Sequence, residues 1–144
     1  AVVTQNIDGL HQAAGSAEVL ELHGSVHRNH CERCHTFFGL EYILESEGVP
    51  HCGCGGRIKP DVVLYEEELD QDVMARAARH IRAADLLIIG GTSLSVYPAA
   101  GLVDYRRRES RLVVINKSPT PRDAGADLLI SASIGAVLGQ IKIS

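Results

Sequence analysis

The chain of 144 residues has room for one domain, or a core with a small insert, and can bury ~70% of its unfolded surface; two large domains are excluded. Lys and Arg number 14 against 18 Asp and Glu, a net charge of −4, and no basic block is dense enough to follow a phosphate backbone, so no direct nucleic-acid partner is expected. The longest apolar run, Leu86-Leu87-Ile88-Ile89, is far short of the ~20 residues of a bilayer crossing, and no basic-then-apolar targeting segment opens the chain, so the expectation is a soluble, cytoplasmic protein without a membrane partner.

Residues 1–4 read as the end of a β-strand with no initiator methionine before it, and the chain is expected to be a fragment. The strand runs into Thr4-Gln5-Asn6-Ile7-Asp8-Gly9-Leu10-His11, a dense polar turn in which Asp8 suits the cap of a short helix ending near Gly15. Next comes Glu21-Leu22-His23-Gly24-Ser25. His23 stands between this turn and an insert, where a cleft can form; Gly24 permits close backbone approach, and the imidazole is a candidate general base.

From Val26 to Arg57 the chain is rich in Cys, His and Gly and poor in long apolar runs, the mark of an inserted minor module. All four cysteines fall in it, as Cys31-Glu-Arg-Cys34 and Cys52-Gly-Cys54. Two close pairs let two tight turns each present two thiolates to one tetrahedral Zn²⁺, and so small a module needs such a staple. His30, His35 and His51 lie beside the cysteines and can replace one as ligand. Disulfides are the alternative, disfavoured by a reducing cytoplasm and by the short spacings within each pair. A Cys₄ site leaves no open position for water, so the zinc is structural.

After the insert, the run 62–65 reads as a strand, and 71–83 as a helix behind the N-cap Asp70, with Val73, Ala77 and Ile81 on its inner face. Strands are expected at 86–89, 112–115 and 128–130. Between them a helix starts at Pro98 and buries Leu102, Val103 and Tyr105, and another follows the N-cap Ser133. This alternation predicts an α/β domain with helices packed on a parallel sheet, interrupted by the zinc-ribbon insert. Three polar sets, the first turn, Gly90-Gly91-Thr92-Ser93 and Asn116-Lys117, would then share the carboxyl edge of one sheet, where open α/β folds bind ligands. Gly91, Thr92 and Ser93 suit a phosphate cradle at a helix start, and Asn116 suits a ribose hydroxyl. No G-x-G-x-x-G occurs.

The ordered strings TQNIDGLHQAAG, ELHGS, the four cysteines, GGRIKPDVVLYEE, GGTSLSVYPAAG and VVINK resemble the sirtuin family of NAD-dependent protein lysine deacylases, its bacterial members above all. The resemblance runs from Thr4 onward. It implies a Rossmann-type NAD-binding domain at 1–25 and 58–144, incomplete at its amino-terminal end, and a zinc-binding module at 26–57. It also implies NAD as cofactor, one structural Zn²⁺ on Cys31, Cys34, Cys52 and Cys54, and an acylated-lysine protein or peptide as partner.

By the same resemblance, Gln5 and Asn6 lie beside the nicotinamide ribose, Ile7 and Asp8 form the nicotinamide pocket, and His23 is the catalytic base, with Asn6 and Asp8 sharing the catalytic work. Gly91, Thr92 and Ser93 hold phosphates or nearby ribose, and Asn116 the adenine ribose. Val63, Tyr65 and Val96 line the peptide, which adds as a strand. The acyl group passes from lysine to ADP-ribose, a transferase chemistry that yields nicotinamide and O-acyl-ADP-ribose.

Two positions depart from the family's pattern. Tyr65-Glu66-Glu67 stands where Phe-Gly-Glu is frequent, and Ser95 where valine is. The family's Gly-Ala-Gly-x-Ser loop and first βαβ unit would precede Ala1, so these 144 residues alone are expected to be an incomplete, inactive enzyme. Mono-ADP-ribosyl transfer is the alternative within the family; a non-catalytic zinc-ribbon interaction module is the alternative outside it, and scaffolding requires none of Asn6, Asp8 and His23.

Overall fold

The computed structural model describes residues 1–142 and divides into two compact units, one ending at Met74 and the other beginning at Ala75. In the first unit, β1 (Val2–Thr4) leads through α1 (Leu10–Ala13) to β2 (Val19–Glu21), which pairs with β1 in parallel. Leu20 is fully buried and Leu22 nearly so, the alternation of a strand with one covered face. Asp8 Oδ1 accepts the Leu10 N–H at 3.1 Å, so the expected capping contact is made from one residue before the Gly9 cap.

The insert is an antiparallel sheet. β3 (Gly24–Cys31) lies between β4 (Phe37–Phe38) and β5 (Ile58–Val62), and α2 (Leu40–Glu45) follows β4. The register of β3 against β5 shifts between Ser25 and Asn29, a bulge that frees residues 26–28 from the ladder. Asn29 is 1% exposed and donates its amide to the Val26 and Phe38 carbonyls, which satisfies a buried polar side chain and holds the bulge.

The expected strand 62–65 is corrected: β5 begins earlier and stops at Val62. Glu67 ends it by folding back. Its Oε2 accepts the Leu64 N–H at 2.9 Å and the Lys59 ammonium at 3.2 Å, its own N–H donates to Leu64 O, and Glu66 takes a left-handed φ of 70°.

Helix α3 (Gln71–Ala83) starts as expected, with Asp70 Oδ1 accepting the N–H groups of Asp72 and Val73. In the second unit Ala77 and Ile81 are buried. Three parallel strands follow, β6 (Leu86–Gly90), β7 (Arg111–Ile115) and β8 (Leu128–Ile130), in that spatial order. Central β7 buries Leu112, Val114 and Ile115. Helix α4 (Ile134–Leu138) begins after Ser133, which occupies the cap position without a side-chain cap bond.

The helix expected from Pro98 is a 3-10 helix, Ala99–Tyr105, with Pro98 at its cap. Leu102 is buried and Val103 partly so, but Tyr105 is 46% exposed and lies under the Arg82 guanidinium, 5.7 Å from the ring centroid. A ring that meets a cation on its face can stay at the surface. The parallel strands form two sheets among the described residues, β1–β2 and β6–β7–β8, because no described strand pairs with both. Among the described residues, residues 91–93 and Asn116 follow strands of one sheet, and residues 5–8 follow a strand of the other. No helix among the described residues is long and apolar enough to cross a membrane.

Candidate active site and metal centre

In the first unit, Gln5, Asn6, Ile7, Asp8, His23, Val62 and Val63 line one cavity of about 450 Å³. The turn that carries four of them is tied by its backbone. Thr4 Oγ1 accepts the Asn6 N–H at 3.0 Å, and the Leu22 N–H donates to Thr4 O at 2.9 Å. The Gln5 and Ile7 carbonyls accept from the His23 ring at 3.1 Å and the Val26 N–H at 3.1 Å. With the backbone so engaged, the amides of Gln5 and Asn6 and Asp8 Oδ2 make no hydrogen bond among the described residues.

His23 is half-buried. Its Nδ1 faces a carbonyl, which can only accept, so the proton sits on Nδ1 and the Nε2 lone pair is left for another group. An imidazole fixed in this tautomer by a backbone acceptor can take a proton at Nε2. Val63 continues the cavity wall, its N–H donating to His23 O at 3.1 Å. Of the other expected peptide-lining residues, Tyr65 is fully exposed on the turn after Val63, and Val96, in the second unit, is 51% exposed.

The second unit holds the other expected cofactor residues. Asn116, directly after β7, donates its side-chain amide to Thr92 O at 3.0 Å and to Ser118 O at 2.9 Å. Both amide hydrogens are thus engaged in joining two loops, and Oδ1 remains as an acceptor. Residues 91–93 do not open a helix, which corrects the cradle expected at a helix start. The chain loops instead, with Leu94 buried at φ 52°, Leu94 N–H on Thr92 Oγ1 at 3.3 Å and the Ser93 and Ser95 hydroxyls 2.6 Å apart. The position that departs from the family's usual valine therefore supplies a hydroxyl partner to Ser93.

The Sγ atoms of Cys31, Cys34, Cys52 and Cys54 all lie within 4.8 Å of one another. Cys31 to Cys54 and Cys34 to Cys52 are each 3.5 Å, far beyond a disulfide bond of ~2.05 Å and close to the ~3.8 Å edge of a tetrahedron with Zn–S of ~2.3 Å. The donor set fits Zn²⁺. The histidines beside it are engaged elsewhere or stand aside: His51 Nδ1 faces Val49 O at 2.7 Å, and His30 stacks edge-on against Phe37.

The Thr36 hydroxyl, hydrogen-bonded to the Cys34 thiol, pulls it down to about 6. Cys54 receives a backbone hydrogen bond from Gly56 that lowers it, yet its neighbouring thiols push it up to about 12. Four thiols this close cannot all ionise unless a cation joins them.

Sequence reasoning missed the supports of the cavity. Thr4, Val26 and His27 touch the turn through backbone atoms, His27 by its Nε2, 3.0 Å from Asp8 O. The Val26 and His27 contacts lie where β3 shifts register, for which the sequence carries no periodic signal.

The family model described as the Sir2 family matches residues 1–98. An NAD-dependent protein deacetylase of Clostridium perfringens is 63% identical over 142 residues, covering 98% of this chain and 58% of that protein. One from Clostridium tetani is 57% identical over 143 residues with the same coverage. The chain thus spans less than two thirds of the length of these curated relatives. Among solved structures, a complex of Sir2 with p53 peptide and NAD⁺ superimposes with a TM-score of 0.90 at 41% identity, over 97% of this chain and 60% of that one. Sir2 bound to acetylated peptide gives 0.89 at 41%, over 97% and 61%. The motifs, the fold and these similarities together establish that the chain belongs to the Sir2 family.

Proposed function

We propose that this chain carries out, with whatever further segments its natural gene product supplies, the NAD-dependent removal of acetyl or related acyl groups from protein lysines. The observation that carries this reading is the cavity that combines the free Nε2 of His23 with the Asn6 side-chain amide and Asp8 Oδ2, none of them hydrogen-bonded among the described residues. Relatives named NAD-dependent protein deacetylases and solved neighbours bound to NAD⁺ and to acetylated peptide support the same substrates here.

NAD, when bound, would supply an electrophilic ribose carbon with nicotinamide as its leaving group. Asp8 accepts from the nicotinamide carboxamide, Ile7 walls that pocket, and Gln5 and Asn6 orient the attached ribose. His23 Nε2 takes the proton of a ribose hydroxyl, while its Nδ1–H stays on Gln5 O and keeps the ring in place. Gly91, Thr92 and Ser93 hold phosphate or ribose, and Asn116 Oδ1 accepts from a ribose hydroxyl. Val63, Tyr65 and Val96 contact the acyl-lysine peptide.

We read Cys31, Cys34, Cys52 and Cys54 as the ligands of one structural Zn²⁺, and residues 26–57 as its module, set into an NAD-binding domain of 1–25 and 58–144. The acyl transfer to ADP-ribose makes the enzyme a transferase. Its compartment is the cytoplasm, where thiolates stay reduced.

The test is incubation of the purified natural gene product with an acetyl-lysine peptide, with and without NAD, followed by mass spectrometry. Deacetylated peptide, nicotinamide and O-acetyl-ADP-ribose in equal amounts, only with NAD, are expected. Deacetylation without NAD, or no product at all, overturns the reading. ADP-ribosylated protein without deacetylated peptide points to ADP-ribosyl transfer instead.

A further inference from the structure

The register shift in β3 leaves residues 26–28 out of the ladder with β5; Arg28 still reaches Asp61 of β5 through its side chain, whereas the two residues before it face the turn at 5–9. Two of them use the freedom. The Val26 N–H donates to Ile7 O at 3.1 Å, and His27 Nε2 lies 3.0 Å from Asp8 O. Since a carbonyl only accepts, Nε2 carries the proton and donates it. The His27 backbone N–H is itself held by Ser25 Oγ at 3.2 Å, so the ring projects from a fixed point. Gly9 completes the fit: at φ 70°, a β-carbon there would stand 2.8 Å from His27 Nε2.

We infer that His27 is a positioning residue for the nicotinamide side of the cavity, holding the Asp8–Gly9 peptide from behind while His23 holds Gln5; this rests on the function proposed above. The two imidazoles grip the turn at its two ends, each through one ring N–H on a backbone carbonyl. The grip uses only backbone carbonyls of the turn, so it leaves the Asn6 side-chain amide and Asp8 Oδ2 without a hydrogen bond among the described residues. His27 lies outside the cavity lining and does not touch the reacting groups. Because a protonated imidazole keeps its Nε2–H, the clamp works in either charge state, and the property that matters is a donor at that distance from the backbone. A glutamine side-chain amide supplies a comparable donor; alanine supplies none.

The experiment compares parent, His27→Ala and His27→Gln forms of the natural gene product. Loss of one neutral hydrogen bond predicts that His27→Ala raises KM for NAD and weakens inhibition by added nicotinamide, each by about threefold to tenfold, with KM for the acetyl-lysine peptide unchanged. His27→Gln restores both to within about twofold. A merely structural role would shift peptide and NAD parameters together and would not be rescued by an amide. Amide hydrogen exchange over residues 5–10 gives a readout without catalysis: faster exchange in the alanine form and parent-like exchange in the glutamine form. Unchanged NAD and nicotinamide constants in His27→Ala, no rescue by glutamine, or unchanged exchange each overturn the inference. A parent protein with no NAD-dependent deacylation overturns the proposed function instead, and the exchange arm then decides the clamp separately.

Discussion

A β-carbon on Gly24 would stand 1.8 Å from the Asp61 carbonyl oxygen. Gly24 has φ 77° and pairs with Val62 at the first position of the β3–β5 ladder, and the next residue of the β5 chain donates to His23 O. The glycine after the candidate base is therefore what lets the cavity's far wall come close. Gly24→Ala combines a left-handed backbone with a clash against main chain, which has no rotamer to escape into. It is expected to cost ~3 kcal/mol or more, read as a lower denaturation midpoint. A midpoint equal to the parent's would mean that the two strands separate without penalty.

The metal centre predicts one zinc per chain in protein purified without chelator. Cys31 is fully buried beneath the module, and the set has no histidine to substitute for it. Structural zinc contributes ~10 kcal/mol or more of apparent binding energy in small modules, so Cys31→Ala should lose the metal and the cooperative unfolding of residues 26–57 together. Less than half an equivalent of zinc in the parent, or full folding of Cys31→Ala, would sink the assignment.

Most of this architecture could be read directly from the residues. The 3.6-residue pattern of α3, the short aliphatic strands β6, β7 and β8, and the paired cysteines are local signals carried by short stretches of sequence. What escaped was non-local. The end of β5 is set by Glu67 reaching back to Leu64 N–H and Lys59, a contact that composition does not announce. The loop at 91–96 looked like a helix start because Gly, Thr and Ser suit one, yet Leu94 buries its side chain in a left-handed conformation and turns the chain away. The role of His27 depends on a bulge flanked by the pairs Ser25–Asp61 and Asn29–Pro60, whose partners lie far apart in sequence.

Glu66 is a carboxylate side chain on a backbone position shaped for glycine. It sits at φ 70° on the exposed turn after Val63, where an L-residue costs ~1–2 kcal/mol. Glu66→Gly should relieve that, offset by the greater freedom of glycine in the unfolded chain, for a net gain of ~0.5–1 kcal/mol. Urea unfolding measures it; a loss of stability would mean that the Glu66 side chain makes a contact that outweighs the strain.

The Leu112 N–H, donating to Asp127 Oδ2 at 2.8 Å, holds that carboxyl below its ordinary range, helped by Arg111 at 3.1 Å. A carboxylate whose folded value is depressed stabilises the fold fully above its unfolded value of ~3.9, and the contribution is lost as pH falls through the lowered folded value. Asp127→Asn should therefore lower stability at pH 7 and shrink the difference between pH 7 and pH 3. An equal loss at both pH values would assign the effect to geometry rather than ionisation.

His23 and Asp8 share a cavity but are proposed to serve different steps, and kinetics can separate them. Departure of nicotinamide needs the ribose and carboxamide positioned by Asn6 and Asp8, and no protein base. The following step needs a ribose hydroxyl to lose its proton, and His23 Nε2 is an imidazole acceptor left free in the cavity. His23→Ala in the natural gene product should lower deacylation by ~10²-fold or more, the usual scale for removal of a general base. Exchange of labelled nicotinamide into NAD, which reports the first step alone, should fall much less. Asp8→Asn should bias the other way, harming exchange at least as much as product formation. Because His23 also ties Gln5 O through Nδ1–H, His23→Asn, which can keep a donor near that position, separates the two duties: it should hold NAD affinity closer to the parent while deacylation stays lost. If His23→Ala leaves deacylation within a few-fold of the parent, or cuts both reactions equally while NAD still binds, the base that follows nicotinamide departure is another group.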